Sequence, residues 1–284
     1  MAEKSKAQIT MKDMEVSALK TLVEFSYTGE VVITEDNVQA LLPVASLLQI
    51  PSVREACCQF LLRQLHPSNC LGIRSFADAH ACQDLHARSH KYALRNFQEV
   101  ALTEEFLMLS LWEVEDLVSN QRLNVPSEEP VFGAVLRWVR HDLAGRETHL
   151  GQLLQHVRLP LLGRDFLLRA VGEEPLVRAS PDAKDLLIEA MRYHLQPEHR
   201  TSMSGLRTSL RRPDDLRPYL FAIGGGSLFT IHNECECYNP RNDRWYPINS
   251  TQQRRSRAGV ASIGRMVYVV GGYCGSEKRS RLNA

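Results

Sequence analysis

An apolar run closed by paired glycines, Tyr219-Leu220-Phe221-Ala222-Ile223-Gly224-Gly225, returns 47 residues later as Met266-Val267-Tyr268-Val269-Val270-Gly271-Gly272. A strand ending on a glycine pair with a period of about 50 residues marks a blade of a β-propeller, and such units bury a core only against neighbouring blades. Twelve residues follow Gly272, the last of them Ala284, so the stretch carries barely more than one unit. Between the two copies, Glu234–Tyr238, Arg244–Ile248 and Ala258–Ile263 read as further short strands. Turn material, Asn239-Pro240-Arg241-Asn242-Asp243 and Gly264-Arg265, separates them. A sheet of so few strands rarely stands alone, and the expectation for residues 219–284 is a labile all-β tail.

Upstream the texture is different. Residues 9–200 read as helices joined by short connections. Thr34-Glu35-Asp36-Asn37 opens one, with Val38, Leu41, Leu42, Ala45 and Leu48 as its apolar stripe, and Pro51 is expected to end it. Ser52-Val53-Arg54-Glu55 has the pattern of a capping box for the next helix, whose stripe is Val53, Cys57, Phe60 and Leu61. The same grammar recurs at Ser110, Ser127 and Ser180-Pro181. After Pro197 the segment Thr201–Pro218 is polar, basic and without periodicity, and reads as an interdomain linker.

Composition removes several classes of function. A formal net charge of +1 gives no sustained field for nucleic acid or an anionic membrane. No run approaches the roughly 18 apolar residues of a membrane span, and the polar start lacks the apolar segment of a secretory signal, so a cytoplasmic or nuclear compartment is expected. The seven cysteines (57, 58, 70, 82, 235, 237 and 274) lack the spacing of a disulfide framework. Cys57, Cys58, His66, Cys70, His80 and Cys82 cluster in sequence without a C-x-x-C pair, so helix packing is the simpler reading than a metal site. Cys235 and Cys237 share one strand face and read as packing between blades. Gly224-Gly225-Gly226 is followed by no Lys-Ser/Thr, and no nucleophile-elbow motif or carboxylate pair in an active-site context occurs. Neither an enzyme nor a cofactor or metal site is expected. Arg254-Arg255-Ser256-Arg257 reads as a loop at one end of the propeller, where partner-binding surfaces are built.

At this point the residues resemble a known family. Leu220–Gly225, Glu236-Cys237-Tyr238-Asn239-Pro240, Arg244-Trp245 and Arg254–Ala261 together resemble a kelch repeat. His66–Ile73, Phe76-Ala77-Asp78, Leu123-Asn124-Val125, Ser127-Glu128-Glu129 and Val157–Leu162 resemble a BACK domain, and Phe25-Ser26-Tyr27-Thr28-Gly29-Glu30 with its following helices resembles the C-terminal half of a BTB/POZ domain. The order is that of the kelch-like proteins, with wording nearest to the actin-associated subgroup. The implied architecture is α+β and multidomain. Residues 1–65 would form half of a BTB domain, 66–197 an all-α BACK domain, 198–218 a linker, and 219–284 about one blade of a kelch propeller.

The resemblance implies an adaptor that docks on cullin-3 and holds a protein substrate for ubiquitination. Met1 and Glu3 stand where the family's hydrophobic-x-Glu cullin contact falls, and Gly224, Gly225, Tyr238, Trp245, Gly271 and Gly272 are the structural kelch positions. An actin-binding scaffold without a ligase role is the alternative. The N-terminal half of the BTB fold and about five of about six blades have no counterpart here. Tyr273-Cys274-Gly275 also departs from the aromatic-Asp-Gly of the family. The expectation is therefore a truncated form with impaired homodimerisation and substrate binding.

Overall fold

The computed structural model describes residues 14–200, 202–213, 219–227, 229–240, 243–263, 266–274 and the backbone of 282–283. The chain divides into two compact units, Met1–Asp214 and Asp215–Ala284. Met1, Glu3, Gly264-Arg265 and the basic run 278–281 lie outside the described residues.

The first unit is helical. α1 (Val16–Thr28) ends at Gly29, whose φ of 74° lets its N–H turn back to the Phe25 carbonyl. α2 (Glu35–Leu47) starts from a Thr34 capping box in which Asn37 Oδ1 accepts the Thr34 N–H at 2.8 Å. α3 (Pro51–Arg63) departs from the sequence reading. Pro51 opens this helix instead of terminating α2, with Ile50 as the N-cap and Ser52 already inside the first turn. Proline has no N–H to leave unsatisfied and its φ is preset for the first helical position, so it displaces the serine from the cap.

α4 (Cys70–Ala79) and α5 (Gln83–Arg95) form a hairpin. Two short turns follow, α6 (Phe97–Val100) and α7 (Glu104–Leu107), and then α8 (Leu111–Ser119). Ser110 caps α8 as expected, its N–H donating to Glu113 Oε2 at 2.9 Å. α9 (Glu129–His141) has Glu128 at its N-cap position, without a side-chain cap bond, one residue beyond the serine expected there. After the short α10 (Leu143–Arg146), α11 (Leu150–Leu154), α12 (Arg164–Phe166) and α13 (Pro175–Ala179), the unit closes with α14 (Pro181–Leu195). Ser180 Oγ accepts the Ala183 N–H at the start of that helix.

Two apolar cores result. Ala18, Leu22, Leu41, Leu42 and Val53 of α1–α3 close on Ala77 and Leu85, whereas Cys70, Leu71 and Ala93 from the same α4–α5 hairpin face the larger core of α6–α14. The hairpin thus belongs to both. The larger core is centred on Phe97, Phe106 and Trp138, with Phe97 and Phe106 meeting edge to face at 5.9 Å. Each such buried side chain contributes roughly 1.5–3 kcal/mol of transfer free energy. Residues 202–213, expected to be a linker, are joined to this unit: the Arg212 N–H donates to the Gln121 carbonyl at 2.7 Å and Arg211 is 8% exposed.

The second unit holds antiparallel strands in two sheets. β1 (Leu220–Gly226), β2 (Ile231–Asn239) and β3 (Arg244–Ile248) form one; β4 (Gly259–Ile263), β5 (Met266–Val270) and β6 (Leu282–Asn283) form the other. The repeat is therefore cut between sheets rather than folded as one four-stranded blade. Two to four residues separate β1 from β2, β2 from β3 and β4 from β5, whereas the passage 249–258 leads from β3 into the next sheet.

Candidate functional site

The glycine pairs of the two repeats converge on one segment. Gly224 interrupts the β1–β2 register as a bulge, with φ of 59°, and Gly225 follows at 122°. The Gly225 N–H donates to the Arg255 carbonyl at 2.8 Å, and a Cβ built on Gly224 would stand 2.6 Å from that same oxygen. Gly271 and Gly272 also have positive φ, 70° and 93°, and a Cβ on Gly272 would meet the Ser256 carbonyl at 2.9 Å. Arg255 and Ser256 thus pass against both pairs. The Arg255 N–H bonds the His232 carbonyl, its Nη1 donates to Gly271 O at 2.8 Å, and Ser256 pairs with Tyr273. Glycine is needed where backbone approaches backbone this closely.

For Arg255 this corrects the reading of Arg254-Arg255-Ser256-Arg257 as a partner-facing loop. Arg255 is 6% exposed and holds the first sheet to the second. Arg254 and Arg257, on either side, are exposed. In sequence an inward arginine is indistinguishable from an outward one, because a solvent loop and a buried polar staple use the same residue type.

Tyr238 and Trp245 are cross-strand partners in β2 and β3, with ring centroids 5.2 Å apart. The Tyr238 hydroxyl donates to Asp243 Oδ1 at 2.6 Å, and that bond holds the phenol proton more tightly, raising its pKa. Trp245, expected as a core wedge, is half exposed, as are Phe221, Tyr246, Val260 and Met266. Of the described apolar side chains in this unit Cys235 is buried. The sheets therefore present broad apolar faces, suited to packing against further protein surface.

The helical unit offers polar clusters of a different kind. Arg74, buried on α4, lies 3.5 Å from both Glu113 and Asp116 of α8 and donates to His90 Nδ1 at 3.2 Å. Burial lowers the His90 pKa; the nearby Asp116 charge works against this and Arg74 and His86 add to it. Burial pushes the thiols of Cys57, Cys58 and Cys70 up to about 11, 12 and 12, so these are inert packing groups at neutral pH. The seven cysteines are free thiols. Among the described residues no cluster of His, Cys, Asp and Glu could hold a metal ion, and no helix is long and apolar enough to cross a membrane.

A cleft of about 400 Å³ opens where α2 turns into α3, lined by Ala45, Ser46, Gln49, Ile50, Pro51 and Arg54. Gln49 makes the turn at φ of 55°, and Ser46 Oγ is buried there without a hydrogen-bond partner among the described residues. No motif signals this cleft, since it depends on how α2 and α3 are set. A buried arginine at 211 was equally illegible in a stretch that reads as polar linker.

The BTB/POZ domain model matches residues 1–65, the BACK (BTB And C-terminal Kelch) model residues 70–172, and the Kelch motif model residues 254–283. The chain is 55% identical over 264 residues to Kelch-like protein 17 of Homo sapiens, a match covering 93% of this chain and 41% of that protein. It is 46% identical over 277 residues to Kelch-like protein 2 of Mus musculus, covering 97% and 46%, and 47% identical over 277 residues to Kelch-like protein 3 of Pongo abelii, covering 97% and 47%. The chain spans less than half the length of these relatives.

Proposed function

Because the chain belongs to the kelch-like proteins, with BTB, BACK and kelch segments in that order, we propose that it acts as a substrate adaptor of cullin-3 ubiquitin ligases. The observation that carries this reading is the order of the three segments, since a docking module and a substrate module on one chain is what an adaptor requires. On this reading residues 1–65 and the following helices face cullin-3, with Met1 and Glu3 supplying an apolar knob and a charge. The α2–α3 cleft and the exposed Val16, Val23 and Tyr27 of α1 add apolar surface to the same segment. The strand unit is the side that meets a protein substrate, through its exposed aromatic faces. The chain's own contribution is binding, in the cytoplasm, and the transfer chemistry belongs to the ligase. Nothing observed favours the actin-binding alternative.

The test is capture of cullin-3 by an N-terminally tagged chain. Purified cullin-3 should be retained by the parent and retained at least about tenfold less, equivalent to about 1.4 kcal/mol, when Met1 and Glu3 are both replaced by Ala. Equal retention by the two chains would remove Met1 and Glu3 from the contact. No retention by the parent would remove the adaptor reading.

A further inference from the structure

α14 ends at Leu195, yet the chain does not leave the helical unit there. It runs on through a 3-10 turn at Leu206–Thr208 and sets Arg211 into a socket built from three distant places. Arg211 Nε and Nη2 donate to Glu128 Oε1 and Oε2 at 2.6 and 2.8 Å; Nη1 donates to the carbonyls of Val118 and Asn120 at 2.8 and 2.9 Å; Nη2 also donates to the His156 carbonyl at 3.2 Å. A guanidinium has five N–H donors, and here all five are used. Glu128 is 5% exposed, so without Arg211 it is a buried carboxylate whose remaining hydrogen bond among the described residues is from the Arg158 N–H at 3.3 Å, with the Arg158 charge nearby.

Arg158, 3% exposed, grips the same segment by donating from Nη1 to the Ser209 carbonyl. Arg207 adds an outer pair with Glu189, the two side chains 41% and 32% exposed. The two pairs differ in kind. A buried, bidentate pair is strongly destabilised by loss of one partner, whereas an exposed pair contributes little.

We infer that Arg211 is a positioning residue: by filling the Glu128 socket it fixes the point from which the strand unit departs, and so sets the reach over which a held substrate is presented. The second half of this statement rests on the adaptor reading. If residues 196–219 were free, the connection would run from Gln196 to Leu220 and extend up to about 80 Å; starting from Pro213, it extends at most about 25 Å. A lysine at 211 cannot reproduce this, since it has three donors and no planar fork.

The experiment uses the full chain and limited trypsin digestion, read at the Arg207–Thr208 bond, together with small-angle X-ray scattering. Glu128→Gln keeps the shape and every cleavage site but removes the charge; Arg211→Lys keeps the charge but not the fork. Both should speed cleavage on the order of 10- to 100-fold and lengthen the maximum dimension, with the helical circular dichroism retained. Glu189→Gln, which removes only the exposed pair, should stay within about threefold of the parent. Should Arg211→Lys lose its helix signal, Glu128→Gln decides. Unchanged cleavage in Glu128→Gln overturns the anchor, and so does a Glu189→Gln effect as large. Faster cleavage with an unchanged scattering profile overturns the positioning role. Cullin-3 capture failing in the parent chain while the cleavage and scattering changes occur refutes the adaptor reading and leaves the anchor standing.

Discussion

Replacing Trp138 by Phe tests whether the larger core depends on one polar contact made by an otherwise apolar side chain. Trp138 is 2% exposed on α9, and its Nε1–H donates to the Leu109 carbonyl at 2.9 Å in the turn before α8. The Arg146 guanidinium lies 4.1 Å over the indole and also donates to the Trp138 carbonyl, tying α10 to the same ring. Phe keeps the aromatic character and removes the donor. The Leu109 carbonyl, in a residue 7% exposed, is then left unpaired at a cost of about 1–3 kcal/mol. The smaller ring leaves a void of roughly 40 Å³, costing about 1 kcal/mol at ~24 cal/mol per Å³. Weaker stacking with Arg146 removes about 0.5 kcal/mol more. The sum is about 2.5–4.5 kcal/mol, or a Tm lower by roughly 5–15 °C for a helical unit of this size. Urea unfolding followed by circular dichroism at helical wavelengths reads it. Trp112→Phe is the control, because Trp112 is 65% exposed and its loss should stay within about 0.5 kcal/mol. A Trp138→Phe cost under about 1 kcal/mol, or an equal cost at Trp112, would refute the reasoning.

The glycine pairs give a graded prediction. Gly271→Ala meets nothing within 4 Å and should cost only the left-handed backbone term, about 1–2 kcal/mol, whereas Gly224→Ala adds a collision with the Arg255 carbonyl and loss of the Gly225 hydrogen bond, for about 2–4 kcal/mol. Hydrogen exchange of β1 and β2 measures this, and a Gly224→Ala chain no faster than Gly271→Ala contradicts the close approach. Stability of the helical unit should also fall on mild acidification. The folded-state pKa of His90 is held below its ordinary 6.5, chiefly by burial, so the unfolded chain binds the proton first. Stability is full above about pH 6.5 and declines as pH falls from there towards the lower folded value. His194, lowered by burial in the same way, acts in the same direction. Urea midpoints between pH 7.5 and 5 check the slope, and His90→Gln should flatten it; a midpoint that rises on acidification would show the sign to be wrong.

Much of this protein is written locally. The Thr34 and Ser110 capping boxes, the Ser180-Pro181 helix start and the apolar stripes of α2 and α8 follow from hydrogen bonds and side-chain spacing within one turn, which the sequence alone determines. So does the strand–glycine repeat, because positive φ at Gly224, Gly225, Gly271 and Gly272 is a property of single residues. Three outcomes were decided only by the tertiary structure. Pro51 became a helix start rather than a stop once α3 packed beside α2, both roles being compatible with the same ring. The strands fall into two sheets, a division that the strand sequences, read one at a time, do not state. Arg211 and Arg255 were buried, one in the Glu128 socket and one between the sheets, because a charged side chain goes inward only where distant backbone carbonyls and carboxylates converge to satisfy it. That convergence is assembled from residues as far as 93 positions away, and no local pattern encodes it.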